Sequence, residues 1–303
     1  MEIGLIVLTQ TLTMFLLMAL GIALYRAKVI TDTGSAELSK LLITVIIPAA
    51  ILKSYAVKYT AEKGAGLVYS SLYTAVSLLL AMAICHFFYG SRRRIDNFGV
   101  SFSNAGFVGI PLVSAVLGEE NIFFVAIYVA LLNFLQQTYG VMVMTGERRA
   151  EAGKIAKNPV LLSLLAGIAV FYLQIPVPKI LTSCISFVAG LNTPVAMIVL
   201  GVFLAQTSFL EIITDRNVMT ASFYRLILIP AVTLLVLIIL PGPGTIKLVV
   251  LIAAATPIGS NVAVFARLYG QDYTYAVKTV CASTLYSIIT LPLIVAAASH
   301  LFH

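Results

Sequence analysis

Charged residues are scarce in this chain of 303 residues. Only 10% of its residues are charged, 60% are hydrophobic, and the mean hydropathy is +1.04. A soluble domain of this length needs a much more polar surface. The composition therefore excludes a soluble enzyme or binding module and predicts a polytopic membrane protein in contact with the lipid bilayer.

The residues that hold metals or form disulfides are also few. The chain has no tryptophan, three histidines and three cysteines. Cys85, Cys184 and Cys281 all fall within apolar stretches without metal-ligand spacing, which predicts small core residues. We expect no metal cluster, no disulfide framework and no cofactor.

Carboxylates are missing from the interior of the apolar stretches, so an intramembrane proton relay is unsupported. An intramembrane enzyme would need a nucleophile with a base, or an acidic metal motif, at that depth. An ion channel would need a filter or ring pattern. Neither pattern is present. The net charge of +7 does not indicate nucleic acid, because the cations stand in short loops between apolar runs.

Apolar runs of about 20 residues, long enough to cross the hydrocarbon core, can be placed ten times. Fourteen of the nineteen Lys and Arg residues, Arg225 among them, fall on one side of the resulting topology. The positive-inside rule then places both termini outside the cytoplasm, and we expect a multi-pass protein of the cytoplasmic (inner) membrane. The predicted limits are 4–25, 37–56, 65–89, 97–117, 121–145, 158–174, 182–206, 217–240, 246–268 and 273–300.

Two of the ten spans are interrupted by residues that a purely structural membrane helix has little reason to contain. The fourth holds Asn104-Ala-Gly-Phe-Val-Gly-Ile-Pro-Leu112 and the ninth holds Thr256-Pro-Ile-Gly-Ser-Asn261. Proline removes a backbone donor and disrupts the preceding turn, so freed backbone groups must find partners in protein, water or a ligand. Paired interruptions of this kind are typical of the midplane site of secondary transporters.

The chain divides into two halves of five spans each. Residues 1–145 form the first repeat, 146–157 a polar cytoplasmic linker, and 158–303 the second repeat. The same interval separates Pro48 from Pro194 and Pro111 from Pro257. Because five is an odd number, the second half enters the membrane from the opposite face. The predicted fold class is an all-α membrane protein of ten helices arranged as a 5+5 inverted repeat.

The residues around the two interruptions resemble those of the auxin efflux carrier family, which includes plant PIN carriers and bacterial malate and malonate permeases. In the fourth span the plant pattern Asn-x-x-x-x-Gly-Ile-Pro-Leu, ending in Gly, is matched by Asn104, Gly109, Ile110, Pro111, Leu112 and Gly118. In the ninth span, Pro-x-Gly-x-x-x-x-Val-Phe-Ala-basic-x-Tyr is matched by Pro257, Gly259, Val264, Phe265, Ala266, Arg267 and Tyr269.

The resemblance implies a fold similar to the bile acid sodium symporters. Spans 1, 2, 6 and 7 would form a scaffold that dimerises, and spans 3–5 and 8–10 a mobile transport domain with elevator-like motion. The two broken helices would cross at the substrate site. The chain departs from the plant pattern at Val262, where plant carriers have a second proline, and at Ile258, where they have a polar residue. Asn261 is a candidate replacement for that polar group.

The physics of two half-helices meeting at the midplane favours an anion, because their N-termini present free amides and partial positive charge. Asn133, Gln136 and Gln137 crowd one part of the fifth span; Asn133 stands about where plant carriers place a substrate-facing Gln, and one of the two glutamines is expected to face a neighbouring helix.

Arg225 could meet an anion, but its place near the cytoplasmic end predicts a side chain that snorkels to the surface. The candidate substrate-binding residues are Asn104, Asn261, Asn133, Ser103, Ser260 and Thr256. The residues expected to shape the crossing are Gly109, Pro111, Pro257 and Gly259.

These features predict a secondary transporter for a small organic anion, such as an auxin-like carboxylate or a dicarboxylate, and not an enzyme. An alternative is a sodium-coupled symporter with a sodium site near Asn104 and Asn261, because half-helix C-termini bind cations equally well. The sequence leaves the substrate, the direction of transport and the coupling ion open.

Overall fold

The computed structural model describes residues 2–147, 152–207 and 214–302, and this part of the chain is helical. The one extended pairing within it is an isolated antiparallel bridge between Ser103 and Ile258. The helices, with π-helical and 3-10 segments included, are α1 Glu2–Arg26, α2 Asp32–Tyr55, α3 Ala61–Tyr89, α4 Arg94–Ser101, α5 Ala105–Leu117, α6 Glu119–Thr145, α7 Ala152–Ala156, α8 Pro159–Leu173, α9 Lys179–Ala205, α10 Arg216–Ile239, α11 Gly244–Ala255, α12 Asn261–Leu268 and α13 Tyr273–Phe302.

Seven of the described helices are long and apolar enough to cross a membrane: α1, α2, α3, α6, α9, α10 and α13. Three shorter apolar helices, α5, α8 and α11, accompany them. The sixth predicted span corresponds to α8, which has 15 residues. The fourth and ninth predicted spans are each divided in two, into α4 with α5 and α11 with α12.

The two divided spans contact each other through their breaks, at residues 102–104 and 256–260. The backbone N–H of Asn104 donates to the carbonyl of Pro257 at 2.8 Å, and the N–H of Gly259 donates to the carbonyl of Phe102 at 3.0 Å. A Cβ at position 259 would lie 3.0 Å from the Ser103 carbonyl oxygen, so glycine permits this approach. Each break thus satisfies backbone groups that the other leaves free.

Three helices widen into a five-residue π-helical segment just before a proline. Proline lacks the N–H and clashes with the carbonyl four residues earlier, and a wider turn accommodates both effects. The segments are Leu42–Ile46 before Pro48, Ala105–Gly109 before Pro111 and Tyr224–Leu228 before Pro230.

Pro111 and Pro257 were expected to occupy equivalent positions in the two repeats, but they do not. Pro257 lies in the ninth-span break itself, whereas Pro111 lies inside α5, after its π-helical first turn. The fourth span breaks earlier, at Phe102, whose backbone is extended. The equal interval between the prolines in sequence therefore does not mark equivalent positions.

The core centres on α11, in which every residue from Ile246 to Ala255 is buried. A helix that is apolar on all sides must be surrounded by others, and α3, α5, α6, α10 and α13 pack around it. Elsewhere large apolar side chains such as Phe87, Ile180 and Phe187 are exposed, as expected for surfaces that face lipid. Cys184 is exposed too, so its predicted core position is wrong, whereas Cys85 and Cys281 are buried.

Helices α1 and α9 approach each other more closely than side chains would allow. A Cβ at Gly21 would lie 2.3 Å from the carbonyl oxygen of Ile198, and a Cβ at Gly201 would lie 2.1 Å from that of Met18. Small residues at such a contact let two membrane helices pack backbone to backbone.

Candidate functional site

A small cavity lies beside the two breaks; we call it the central cavity. Its volume is about 20 Å³, which is room for one water molecule. Five polar side chains face it from α6 and the break regions, and apolar residues of α2 and α8 close the other side. The lining residues are Ile43, Ile47, Ser103, Asn104, Gly106, Phe107, Val129, Leu132, Asn133, Val160, Gly259, Ser260 and Asn261.

The N-termini of α5 and α12 both reach this cavity. Asn104 precedes α5 and Ser260 precedes α12, and neither side chain caps its own helix. The first amides of a helix have no partner within it, and together they carry about half a positive charge. The Asn104 N–H itself is bonded to the Pro257 carbonyl, and the Val262 N–H to the Gly259 carbonyl. The groups that remain available to an anion are therefore the other first-turn amides and the side chains of Asn104 and Ser260.

Several buried polar atoms near the cavity have no hydrogen-bond partner among the described residues. They include Ser103 Oγ, Asn104 Nδ2 and Gln136 Nε2. Leaving a buried donor unpaired costs about 1–3 kcal/mol. Such groups are retained where a ligand or water supplies the missing partner, so this cluster points to a polar ligand.

The structure brings most of the predicted binding residues together. Ser103, Asn104, Asn133, Ser260 and Asn261 all line the central cavity. The Asn133 amide donates to the carbonyl of Val129 on its own helix at 2.8 Å and still borders the cavity.

Thr256 does not join that set. It is fully buried, does not line the cavity, and its hydroxyl donates to the Ala253 carbonyl at 2.8 Å. The expectation that its side chain faces the cavity is corrected accordingly: the hydroxyl folds back on the last turn of α11.

The residues predicted to shape the crossing occupy different places. Gly259 lines the cavity, and the Pro257 carbonyl accepts the backbone hydrogen bond from Asn104. Gly109 lies where α5 passes α11, since a Cβ there would be 3.7 Å from the Ala253 Cα. Pro111 is buried in α5 away from the cavity lining.

Gln136 does not line the cavity but bonds to Asn261, which does, and the sequence pattern gave it little weight. Its Oε1 accepts a hydrogen bond from Asn261 Nδ2 at 2.8 Å, which joins α6 to the start of α12. It opens a π-helical segment, Gln136–Gly140. Gln136 follows Asn133 by three residues, so both amides lie on one face of the helix. This spacing is the feature of the sequence that could have predicted a role for Gln136 beside Asn133.

Asn192 was missed entirely. It is buried at the middle of α9, its Nδ2 lies 3.5 Å from the Gly106 carbonyl, and its Oδ1 has no partner among the described residues. It places one more polar group beside the start of α5.

Arg225 differs most from expectation. The prediction that it snorkels to the surface is wrong, because its side chain is completely buried. The guanidinium donates to backbone carbonyls of Val100, Ala254 and Thr256. The prediction failed because it relied on the closeness of Arg225 to a basic loop in the sequence. As a buried residue, Arg225 should not be counted among the loop cations from which the positive-inside rule predicts the membrane orientation.

The buried carboxylate of Asp96 was not predicted, because Asp96 stands one residue before the fourth predicted span. Asp96 in α4 accepts from Arg93 Nε and from the Tyr275 hydroxyl, each at 2.7 Å. It ties α4 to α13 and does not line the central cavity.

Comparison with known proteins fits this architecture. The chain matches the family described as "Membrane transport protein" over residues 6–155 and again over residues 152–295. It therefore belongs to this family of transporters, the auxin efflux carrier family, and is not an enzyme.

A curated relative gives a closer point of reference. A protein of Rhizobium meliloti (strain 1021) described as "Putative malonate transporter" is 26% identical over 209 residues, which are 65% of this chain and 64% of that protein. The chain thus spans somewhat less than two thirds of that relative's length.

Proposed function

We propose that this protein is a secondary transporter that carries a small organic anion across the cytoplasmic membrane by alternating access. The main support for this proposal is a set of buried polar groups without partners among the described residues, at the point where two helix N-termini meet. The most important of them is Asn104 Nδ2. Neutral donors and helix amides hold a carboxylate without a buried lysine or arginine in the cavity.

The proposed binding set is Ser103, Asn104, Asn133, Ser260 and Asn261, with Gln136 orienting Asn261. The description of the relative as a malonate transporter supports a dicarboxylate as the first substrate to test. In the present conformation the cavity has room for only one water molecule, so anion binding requires the cavity to widen.

An elevator-type motion would widen it. Ile43 and Ile47 belong to predicted span 2 and Val160 to predicted span 6, which the family resemblance assigns to the scaffold. The polar lining belongs to predicted spans 4, 5 and 9. The cavity thus lies at the proposed boundary between the scaffold and the transport domain. Movement along that boundary would open the site to one side and then the other.

The proposal includes ten membrane crossings in two inverted repeats, 1–145 and 158–303, with both termini outside the cytoplasm. The two breaks, each flanked by short helices, support this arrangement, and so does the junction of the two family matches within the 146–157 linker. A homodimer through the scaffold follows from the family resemblance, and the first part of α9, Lys179–Gly190, has no buried residue and is free to contact a second copy.

The test is thermal stabilisation of the purified protein by a panel of mono- and dicarboxylates, since a ligand that prefers the folded state raises its apparent stability. We expect one acid class to raise the melting temperature, and Asn104→Ala to abolish that shift. Asn121→Ala is the matched control, because Asn121 is also buried but bonds to Leu117 away from the cavity. Absence of any shift, or an equal shift in Asn104→Ala, would contradict the proposal.

A further inference from the structure

Arg225 lies where two half-helices end. Val100 is in the last turn of α4, and Ala254 and Thr256 are at the end of α11. Its Nη1 is 2.9 Å from the Val100 carbonyl oxygen and its Nε is 3.2 Å from that of Thr256, while Nη2 bonds to Ala254. One guanidinium therefore caps the C-termini of both half-helices.

The C-terminus of a helix carries partial negative charge and free carbonyl groups. Two such ends that meet inside a membrane need a cation. In transporters with discontinuous helices, half-helix C-termini and unwound carbonyls coordinate the coupling ion. Here the carbonyls of both ends are bound by a side chain instead.

Arg225 has no acidic partner among the residues that the structure describes. It takes part in neither of the two ion pairs found among the described residues, Lys53 with Glu119 and Arg93 with Asp96. A buried cation is tolerated only when hydrogen bonds and local dipoles compensate it. The carbonyl cluster supplies both, so guanidinium and helix ends neutralise each other.

The local backbone is adapted to this position. Arg225 is the second residue of the π-helical segment Tyr224–Leu228, which precedes Pro230. Single π-helical turns occur often at functional sites because they redirect side chains. Neither Arg225 nor any of the three residues whose carbonyls accept from it lines the central cavity, so Arg225 lies outside the anion site.

We propose that Arg225 acts as a built-in cation in place of a coupling sodium ion, so that anion binding by this protein needs no sodium. This inference rests on the proposed function and extends it, because it predicts that anion transport is not coupled to sodium. The side chain moves with the transport domain and keeps the negative helix ends neutral, while the positive ends stay free for the anion. Arg225 is thus a positioning residue, because it touches the half-helices and not the substrate.

The first experiment uses the unmodified protein. The affinity for the stabilising carboxylate is measured in sodium chloride and in choline chloride at equal ionic strength, and the stabilisation by sodium alone is measured against choline. We expect the same affinity in both salts and no shift from sodium alone, since an ion without a site shifts no equilibrium. Binding that requires sodium would overturn the Arg225 proposal and leave the anion transporter intact. Lack of binding in either salt would contradict the transporter proposal, and the measurement with sodium alone would then still test Arg225.

The second experiment replaces the side chain. Arg225→Ala should lower the melting temperature and lose anion binding, and millimolar guanidinium should restore both by refilling the carbonyl cluster. Lys247→Ala is the control. Lys247 is also buried and donates to a backbone carbonyl, that of Leu240, but it lies near the N-terminus of α11 and Arg225 contacts the C-terminus. Guanidinium should not rescue this variant. If Arg225→Ala does not fold, Arg225→Lys keeps the charge and Arg225→Met removes it. Sodium-independent binding that is equal in those two variants would refute the role of the charge.

Discussion

Asn261 Nδ2 donates a hydrogen bond to Gln136 Oε1 at 2.8 Å, and this bond fixes the asparagine that begins α12 against α6. Asn261 stands in the half of the site where the sequence departs from the plant pattern. The bond leaves Gln136 Nε2 without a partner among the described residues. The pair therefore offers a free amide next to the cavity.

We predict that Gln136→Leu weakens anion binding about tenfold, which corresponds to roughly 1.4 kcal/mol, the size of one good hydrogen bond. The substitution removes the acceptor that orients Asn261. Titration of the stabilising carboxylate by calorimetry measures the change. Gln137→Leu is the control and should give the parental affinity, since the Asn261 amide bonds to Gln136 and not to Gln137. A double variant with Asn261→Ala should cost less than the sum of the single changes, and strict additivity would contradict the coupling.

The close approach of the two breaks leads to a stability prediction. A Cβ at Gly259 would lie 3.0 Å from the Ser103 oxygen and 3.2 Å from the Phe102 oxygen, and both are backbone atoms. We expect Gly259→Ala to separate the breaks, to cost about 1–3 kcal/mol of stability and to impair transport. Thermal unfolding in detergent measures the first effect. Gly153→Ala, where a Cβ would meet nothing within 4 Å, should not be destabilising. Equal melting temperatures for the two variants would contradict the assigned contact.

The sequence predicted much of this arrangement, for physical reasons that particular residues illustrate. The lengths of apolar runs located the helices, because membrane thickness sets their size. Asn, Gly and Pro located the two breaks, because each disfavours a continuous helix. What it could not predict were contacts between distant segments. The bond of Asn261 to Gln136 and the burial of Arg225 depend on how helices pack, and short-range patterns do not encode the partner.

The contact between α1 and α9 gives a sharper stability prediction. A Cβ at Gly201 would lie 2.1 Å from the Met18 carbonyl oxygen, and only a shift of one helix could relieve this clash. We expect Gly201→Ala to lower the yield of folded protein strongly and to cost more than Gly259→Ala. Size-exclusion profiles and melting temperatures of the two variants test the order. Gly153→Ala serves as the neutral reference, because no atom lies within 4 Å of its Cβ position.

Pro111 tests whether the π-helical start of α5 matters for transport. Pro111→Ala restores an N–H that can bond to the Phe107 carbonyl, which removes the reason for the wide turn Ala105–Gly109. The break at residues 102–104 should persist, because it precedes α5 and is held by the bridge between Ser103 and Ile258. Tightening the turn would rotate Asn104 relative to the cavity.

We therefore expect Pro111→Ala to fold with equal or higher stability and to bind or transport the anion much less well. Uptake into proteoliposomes and the melting temperature of the same preparation separate the two effects. Pro292→Ala in α13 is the matched control, because it also gives a helix its missing N–H but lies outside the cavity lining. If Pro111→Ala transported like the parent, the position of Asn104 would not depend on this turn. The site would then tolerate a regular helix.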